Sequence, residues 1–292
     1  MSKQKTATSG AKVRKTFVNV LIHIFLAVLA FIWVLPVFWV VLTSFRAEKG
    51  SYVETFFPKS YTFDNYIKIF TDTSILNFPK MFMNTLIIAI FTCIISTIFV
   101  LSVSYCMSRM RFNMRKPFMN FAMILGLFPS FMSMIAVYYI LKAIGLSEGA
   151  MIRIALIIVY SAGTGVGFYV AKGFFDTIPK ALDEAAIIDG ATRWQVFTKI
   201  IVPLSKPIIV YTIITSFMGP WLDFIFAKVI CRADAKYYTV SIGLWKMLEK
   251  EYIDGWYTCF AAGAVIVSIP IAILFLATQK FYVDGMSGAV KG

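Results

Sequence analysis

The side chains able to do acid–base, metal or nucleophilic chemistry are sparse and poorly spaced for it. There is one histidine, His23, and there are four cysteines, Cys93, Cys106, Cys231 and Cys259, with no CxxC or CxxH spacing among them. Thiolate metal sites rely on such spacings, so the cysteines read as small buried hydrophobes and no metal ligands are expected. Gly163, Gly165 and Gly167 form a GTGVG run inside an uncharged apolar stretch, not after a strand, so a dinucleotide-binding reading fails. Gly163 and Gly167 instead suit close helix packing, with a hinge as the second reading. The phosphate-cradling pattern GxxxxGK[ST] is absent. No catalytic residue is therefore assigned, and no cofactor is expected in this chain.

The chemically mixed segment that remains is Thr177 to Pro207, which carries both acids and bases. It reads as two short helices with a break. Thr177 is a candidate N-cap with Pro179 in the first turn, and helix formers follow through Glu184, Ala185 and Ala186. Asp189 and Gly190 should end that helix, because glycine readily adopts the left-handed C-cap conformation. Thr192 with Gln195 three residues on is a capping-box signal for the second helix, and Pro203 should stop it. Ala181, Ala185 and Ile188 share one face of the first helix, small enough to let a partner approach. A docking knob and a helix lying on the membrane surface both fit. A DNA-reading helix pair does not, since the mixed charge gives no attraction to phosphates.

What must position this segment is a set of membrane helices. Of the 292 residues, 59% are hydrophobic and 15% charged, and mean hydropathy is +0.78; ordinary soluble domains hold roughly 45 to 50% and about 25%. Stretches free of Asp, Glu, Lys and Arg predict six spans, near 17–45, 81–108, 117–141, 154–171, 207–227 and 255–279. The fifth reaches spanning length only if it runs past Asp223 to Ala227. Pro36 and Pro270 should kink the first and sixth. Residues 1–16 form a flexible basic cytoplasmic tail, 177–207 a loop between spans, and 280–292 a C-terminal tail. The net charge of +13 would suit a nucleic-acid partner in a soluble protein, but its distribution argues otherwise. The loops on the N-terminal side hold 16 Lys and Arg against 5 acids, and the opposite loops 12 against 10. The positive-inside rule then places both termini and the 177–207 loop in the cytoplasm. No charge lies near the middle of a span, which weakens an ion-coupled carrier.

Glu184-Ala185-Ala186, Gly190 after three residues, Ile200 after nine more, then Val202 and Pro203 resembles the EAA loop of ATP-binding-cassette importer permeases, with Val202 in place of the usual leucine. The resemblance covers nearly the whole chain beyond the basic tail. Ser44 to Arg46, Phe63 to Phe70, Met83 to Thr85 and Tyr138 to Gly149 are similar to carbohydrate-importer permeases. Gly219 to Ile230, Tyr237 to Trp245 and Phe281 to Gly292 are most similar to the smaller permease subunit of maltose and maltodextrin importers. Leu222 stands where many relatives of other sugar specificity carry Asn.

That resemblance implies an all-α integral membrane protein with the type I importer permease fold, both termini inside, in a bacterial cytoplasmic membrane. It implies that Glu184, Ala185, Ala186, Asp189, Gly190, Ile200 and Pro203 belong to the coupling loop that engages an ATPase subunit, and that Gly288, Ala289, Val290, Lys291 and Gly292 reach the ATPase interface. The implied partners are a second permease, two ATPase subunits carrying ATP and Mg, an extracytoplasmic sugar-binding protein and membrane lipid, with no nucleic acid. The implied cargo is maltodextrin or a related oligosaccharide, with another sugar or a glycerol-phosphate type solute as the alternative and a secondary carrier or channel as more distant ones. Trp221, Trp245, Trp256, Tyr252 and Tyr257 read as interfacial anchors, so no sugar-contacting residue is assigned. Asp223 and Lys228 should be solvated loop charges or an outer-surface pair.

Overall fold

The computed structural model describes residues 3–51, 55–127, 130–163, 167–232 and 234–289, with backbone alone for 3–13, 130–131, 163 and 282–289. The described residues are helical, apart from turns and one isolated bridge between Arg46 and Tyr61. The helices are α1 (Lys3–Ser44), α2 (Asp64–Thr71), α3 (Phe78–Arg109), α4 (Arg115–Gly126), α5 (Ser130–Ala143), α6 (Met151–Gly163) and α7 (Gly167–Thr177). They continue with α8 (Lys180–Ile188), α9 (Arg193–Val196), α10 (Val202–Leu204), α11 (Lys206–Leu222), α12 (Ile225–Cys231), α13 (Val240–Met247) and α14 (Ile253–Ala289).

Three helices, spanning Arg14–Ser44, Phe78–Arg109 and Ile253–Phe281, are each long and apolar enough to cross a membrane alone. Two bent pairs also qualify as interrupted spans: α6 with α7 at 41°, and the α9–α10 segment with α11 at 81°. The expected third span is divided between α4 and α5, and residues 128–129 between them lie outside the described set. The fifth does not continue through Asp223. There α11 ends, with Asp223 extended at φ −79° and ψ 123°. Its carboxylate accepts the N–H groups of Phe226 and Ala227 at the start of α12 and the hydroxyl of Tyr160. Lys228 turns instead over the ring of Tyr238, so Asp223 is neither a loop charge nor its ion partner. Pro36 and Pro270 each sit inside one continuous helix. The basic N-terminal stretch is the first part of α1 from Lys3 onward rather than a flexible tail, and α14 carries the 280s to Ala289.

α3 is the axis of the bundle, packed against α6, α7 and α11, while α14 joins α1, α2 and α11. Asn77 caps α3 by accepting the N–H of Lys80, with Pro79 in the first turn and Arg109 in the last. The helix divides two apolar clusters. One gathers Phe78, Met81 and Ile88 of α3 with Ile152, Leu156, Trp221, Ile230, Ile242 and Met247. The other gathers Val100, Leu101 and Tyr105 of α3 with Phe168, Phe175, Val196, Phe197 and Ile201. Trp221 and Trp256 are 3% and 6% exposed, so these two are core residues and not interfacial anchors. Large apolar side chains such as Phe31, Trp33, Ile98 and Ile273 face outward while the hydrogen-bonded Asn84, Thr85, Ser104 and Ser108 are buried. That inversion suits a hydrocarbon surround, where polar groups need partners inside the bundle.

The stretches 44–46 and 63–70 meet through buried polar bonds. Asn65 donates its amide to the carbonyls of Ser44 and Arg46, and accepts the hydroxyl of Thr258 from α14. Arg46, nearly fully buried, donates to the carbonyls of Thr55 and Phe56. At the same end of α3, Asn84 donates to the carbonyls of Lys236 and Tyr238 and accepts from Arg153, and Thr85 accepts the N–H of Val240.

Candidate functional site

The segment singled out by the sequence forms a projecting corner at the far end of α3. α8 opens at Lys180 after Pro179 and closes in a Schellman turn: the N–H of Gly190 donates to the carbonyl of Ile187, and that of Ala191 to Ala186. Gly190 has φ +86°, a region costly for residues with a Cβ, although a Cβ there would meet no atom within 4 Å. The requirement for glycine is thus set by the backbone and not by crowding within this chain. Thr192 and Gln195 form the expected capping box, each side chain receiving the other's backbone N–H.

Two local expectations give way. Thr177 does not cap α8: α7 continues to it, and its hydroxyl donates back to the carbonyl of Phe174. Pro203 does not stop the second helix. The chain widens into a π turn over Phe197–Ile201, in which the N–H of Val202 reaches the carbonyl of Phe197, and Pro203 sits inside α10. A proline ring clashes with the carbonyl four residues back, here that of Lys199, and widening the turn relieves the clash. The break falls at Ser205, ahead of the 81° bend.

Glu184, Ala185, Asp189 and Gly190 come together on the exposed side of α8, with Ala181. Ala186 points inward against the second apolar cluster. Ile188 is 84% exposed and Trp194 70%, with Leu182 and Ile187 also open. Exposed apolar side chains around Glu184 and Asp189 make a surface fit for a protein partner. Trp194 was not singled out by the sequence; the signal was an aromatic two residues after the capping Thr192. Ile200 is half buried on the π turn and Pro203 is exposed on α10, so the second half of the motif shapes the hinge and does not join the α8 surface. Gly288 and Ala289 end α14, and Val290, Lys291 and Gly292 lie outside the described residues.

The sequence also gave no sign of what holds α8 in place. Arg109, in the last turn of α3, sets its Nε 3.1 Å from Oδ2 of Asp183, and its Nη2 donates to the carbonyl of Ile178 at 2.8 Å. Both side chains are shielded, at 5% and 14% exposure. Burial pushes the Asp183 carboxyl above its ordinary value, with Arg109 pulling the other way. One turn back, the Tyr105 hydroxyl donates to the carbonyl of Arg193, and Ser104 and Ser108 donate to the Phe168 carbonyl and the Asp176 carboxylate of α7. A cleft of about 210 Å³ opens beside the ion pair, lined by Tyr105, Arg111, Lys180, Glu184, Ile187 and Arg193 among others.

A family model described as binding-protein-dependent transport system inner membrane component matches residues 102–287. The galactooligosaccharides transport system permease protein GanQ of Bacillus subtilis is 34% identical over 96% of this chain and 98% of its own length. The maltodextrin transport system permease protein MdxG of the same organism is 30% identical over 92% and 95%. Among solved structures, a bacterial ABC transporter involved in import of the acidic polysaccharide alginate superposes with a TM-score of 0.73 at 21% identity, covering 92% of this chain and 98% of that one. A second structure, of the bacterial alginate ABC transporter with an alginate pentasaccharide-bound periplasmic protein, gives 0.65 at 17% identity over 90% and 94%. The fold is that of a type I ABC importer permease.

Proposed function

The chain belongs to the binding-protein-dependent transport system inner membrane components, and from that premise we propose that it is one of two permease subunits of an ATP-driven importer moving an oligosaccharide across a bacterial cytoplasmic membrane. The observation that carries the reading is the α8 corner: a helix closed by a Schellman turn and followed at once by the capping box of α9, presenting Glu184 among exposed Ile187, Ile188 and Trp194, and joined to a spanning helix. An ATPase subunit docks there from the cytoplasm and holds the ATP and Mg; this chain supplies the helix that the ATPase moves. Both termini and α8 lie inside, and six spans are formed by α1, α3, α4 with α5, α6 with α7, α11 and α14.

The second permease covers α1. From Arg14 to Phe38 that helix is exposed, and within its most apolar window none of it is buried by the rest of the chain. A bare apolar helix gains nothing from lipid that it would not gain from another helix, so the polar His23 and Asn19 on it favour a protein neighbour. A sugar-binding protein delivers cargo to the opposite face.

Maltodextrin is the preferred cargo, supported by the maltodextrin permease among the relatives. A galactooligosaccharide is the second reading, supported by the 34% identity to GanQ. Both are neutral oligosaccharides, and uptake of labelled maltotriose and galactobiose by the reconstituted complex separates them. With binding protein outside and ATPase subunits bound, uptake should require ATP. Uptake by this chain without ATP, collapsing when an ion gradient is dissipated, would make it a secondary carrier.

A further inference from the structure

We propose that the Arg109–Asp183 pair is the joint through which movement of α8 is passed to α3, so that these two are positioning residues for coupling and not part of the ATPase-docking surface. The proposal rests on the permease reading above and adds the route by which its motion enters the membrane.

The argument starts from which helices can carry a displacement. Every covalent route from α8 passes through a break. Upstream it meets Pro179 and then the α7–α6 pair, inclined at 41°. Downstream it meets the left-handed turn at Gly190, the π turn and the 81° bend at Ser205. By contrast α3 runs 32 residues, about 48 Å at 1.5 Å per residue, with no glycine and no proline beyond the first turn. α1, α11 and α14 all carry an internal proline. Kinks and bends arise at prolines and disrupted turns, so α3 is the stiffest element that reaches the α8 corner.

The contact between them is made by one face of the last two turns of α3. Ser104 and Ser108 hold α7, Tyr105 holds the carbonyl of Arg193, and Arg109 holds both Asp183 on α8 and the carbonyl of Ile178 just before it. Among these, Asp183 is the one partner that sits on α8 itself. It lies beside Glu184 but is shielded, whereas Glu184 is exposed, so adjacent acids face opposite ways, one to the bundle and one to the partner. At its other end α3 holds the segment leading into α13 through Asn84 and Thr85. Displacing α8 with Arg109 engaged therefore moves a rod whose far end is fastened to the opposite face.

The test uses the complete complex of both permeases, ATPase and binding protein in liposomes, comparing wild type with Asp183→Asn, Arg109→Gln and Arg109→Lys. Asp183→Asn and Arg109→Gln should keep the ATPase bound and hydrolysing ATP in response to the binding protein, while sugar moved per ATP falls at least tenfold. Arg109→Lys, which keeps the charge, should recover most of that ratio. Unchanged sugar per ATP in both neutral variants would overturn the proposal. So would loss of the ATPase from either complex, because the pair would then be building the docking surface. Failure of the permease reading itself looks different: wild type would show no ATP-dependent uptake.

Discussion

Arg109 and Asp183, remote in sequence, face each other at 3.1 Å with only 5% and 14% of their side chains exposed. A shielded ion pair of this kind adds little net stability, because taking both charges out of water offsets their attraction. The Asp183 carboxyl follows the same balance. Burial raises its titration above 3.8 despite the guanidinium beside it. The pair fixes a geometry more than it holds the fold together.

That balance sets a pH dependence. A carboxyl that binds its proton more readily folded than unfolded gives most stability below its ordinary 3.8, and that stability is lost as pH rises through the raised folded value. The thermal midpoint of the purified permease pair, scanned between about pH 3 and 6, should fall in wild type relative to Asp183→Asn as pH rises. A constant difference between the two would contradict it.

Gly190 separates backbone from contact. Its φ of +86° suits glycine and, less well, asparagine, and costs other residues about 1 to 2 kcal/mol. Gly190→Asn should keep ATPase co-purification near wild type, and Gly190→Val should loosen it and reduce sugar uptake. Equal co-purification and uptake for the two variants would show that the left-handed turn is not what docking needs.

Ile188 tests the exposed face alone. At 84% exposure its replacement by Glu should leave the melting of the isolated permease pair within about 0.5 kcal/mol, while ATPase affinity drops at least about tenfold, or 1.4 kcal/mol. Binding measured by surface immobilisation of the permease in nanodiscs decides it.

Asn84 tests the opposite end. Replacing it by Leu leaves the carbonyls of Lys236 and Tyr238 and the Nε of Arg153 without that partner. Buried unsatisfied groups cost about 1 to 3 kcal/mol each, so the unfolding midpoint in detergent should fall clearly, with the ATPase still bound at the α8 end.

Local chemistry was legible in the sequence where it closes within a few residues. Gly190 and the Thr192–Gln195 box are written into adjacent positions, and the structure places both as read. Thr177 and Pro203 misled because each signal is ambiguous by itself: a threonine can finish one helix as readily as start the next, and a proline can be absorbed by a π turn. Asp223 misled because its partners, Tyr160 and two N–H groups of α12, exist only once α11 has ended beside α6. The Arg109–Asp183 joint had no local signature at all. Each residue was visible only as loop charge, and their meeting depends on α3 packing against α7. The core roles of Trp221 and Trp256 were hidden for the same reason, since an aromatic near a span end reads alike whether it faces headgroups or neighbours.

The most direct measurement is the accessibility of position 188 in cells. With the four native cysteines replaced, Ile188→Cys should resist a membrane-impermeant thiol reagent applied outside, react with it in inverted vesicles stripped of ATPase, and become shielded when ATPase subunits are added back. Labelling from outside, or equal labelling in inverted vesicles with and without the ATPase, would contradict the assignment of α8 as the cytoplasmic surface through which ATP drives this permease.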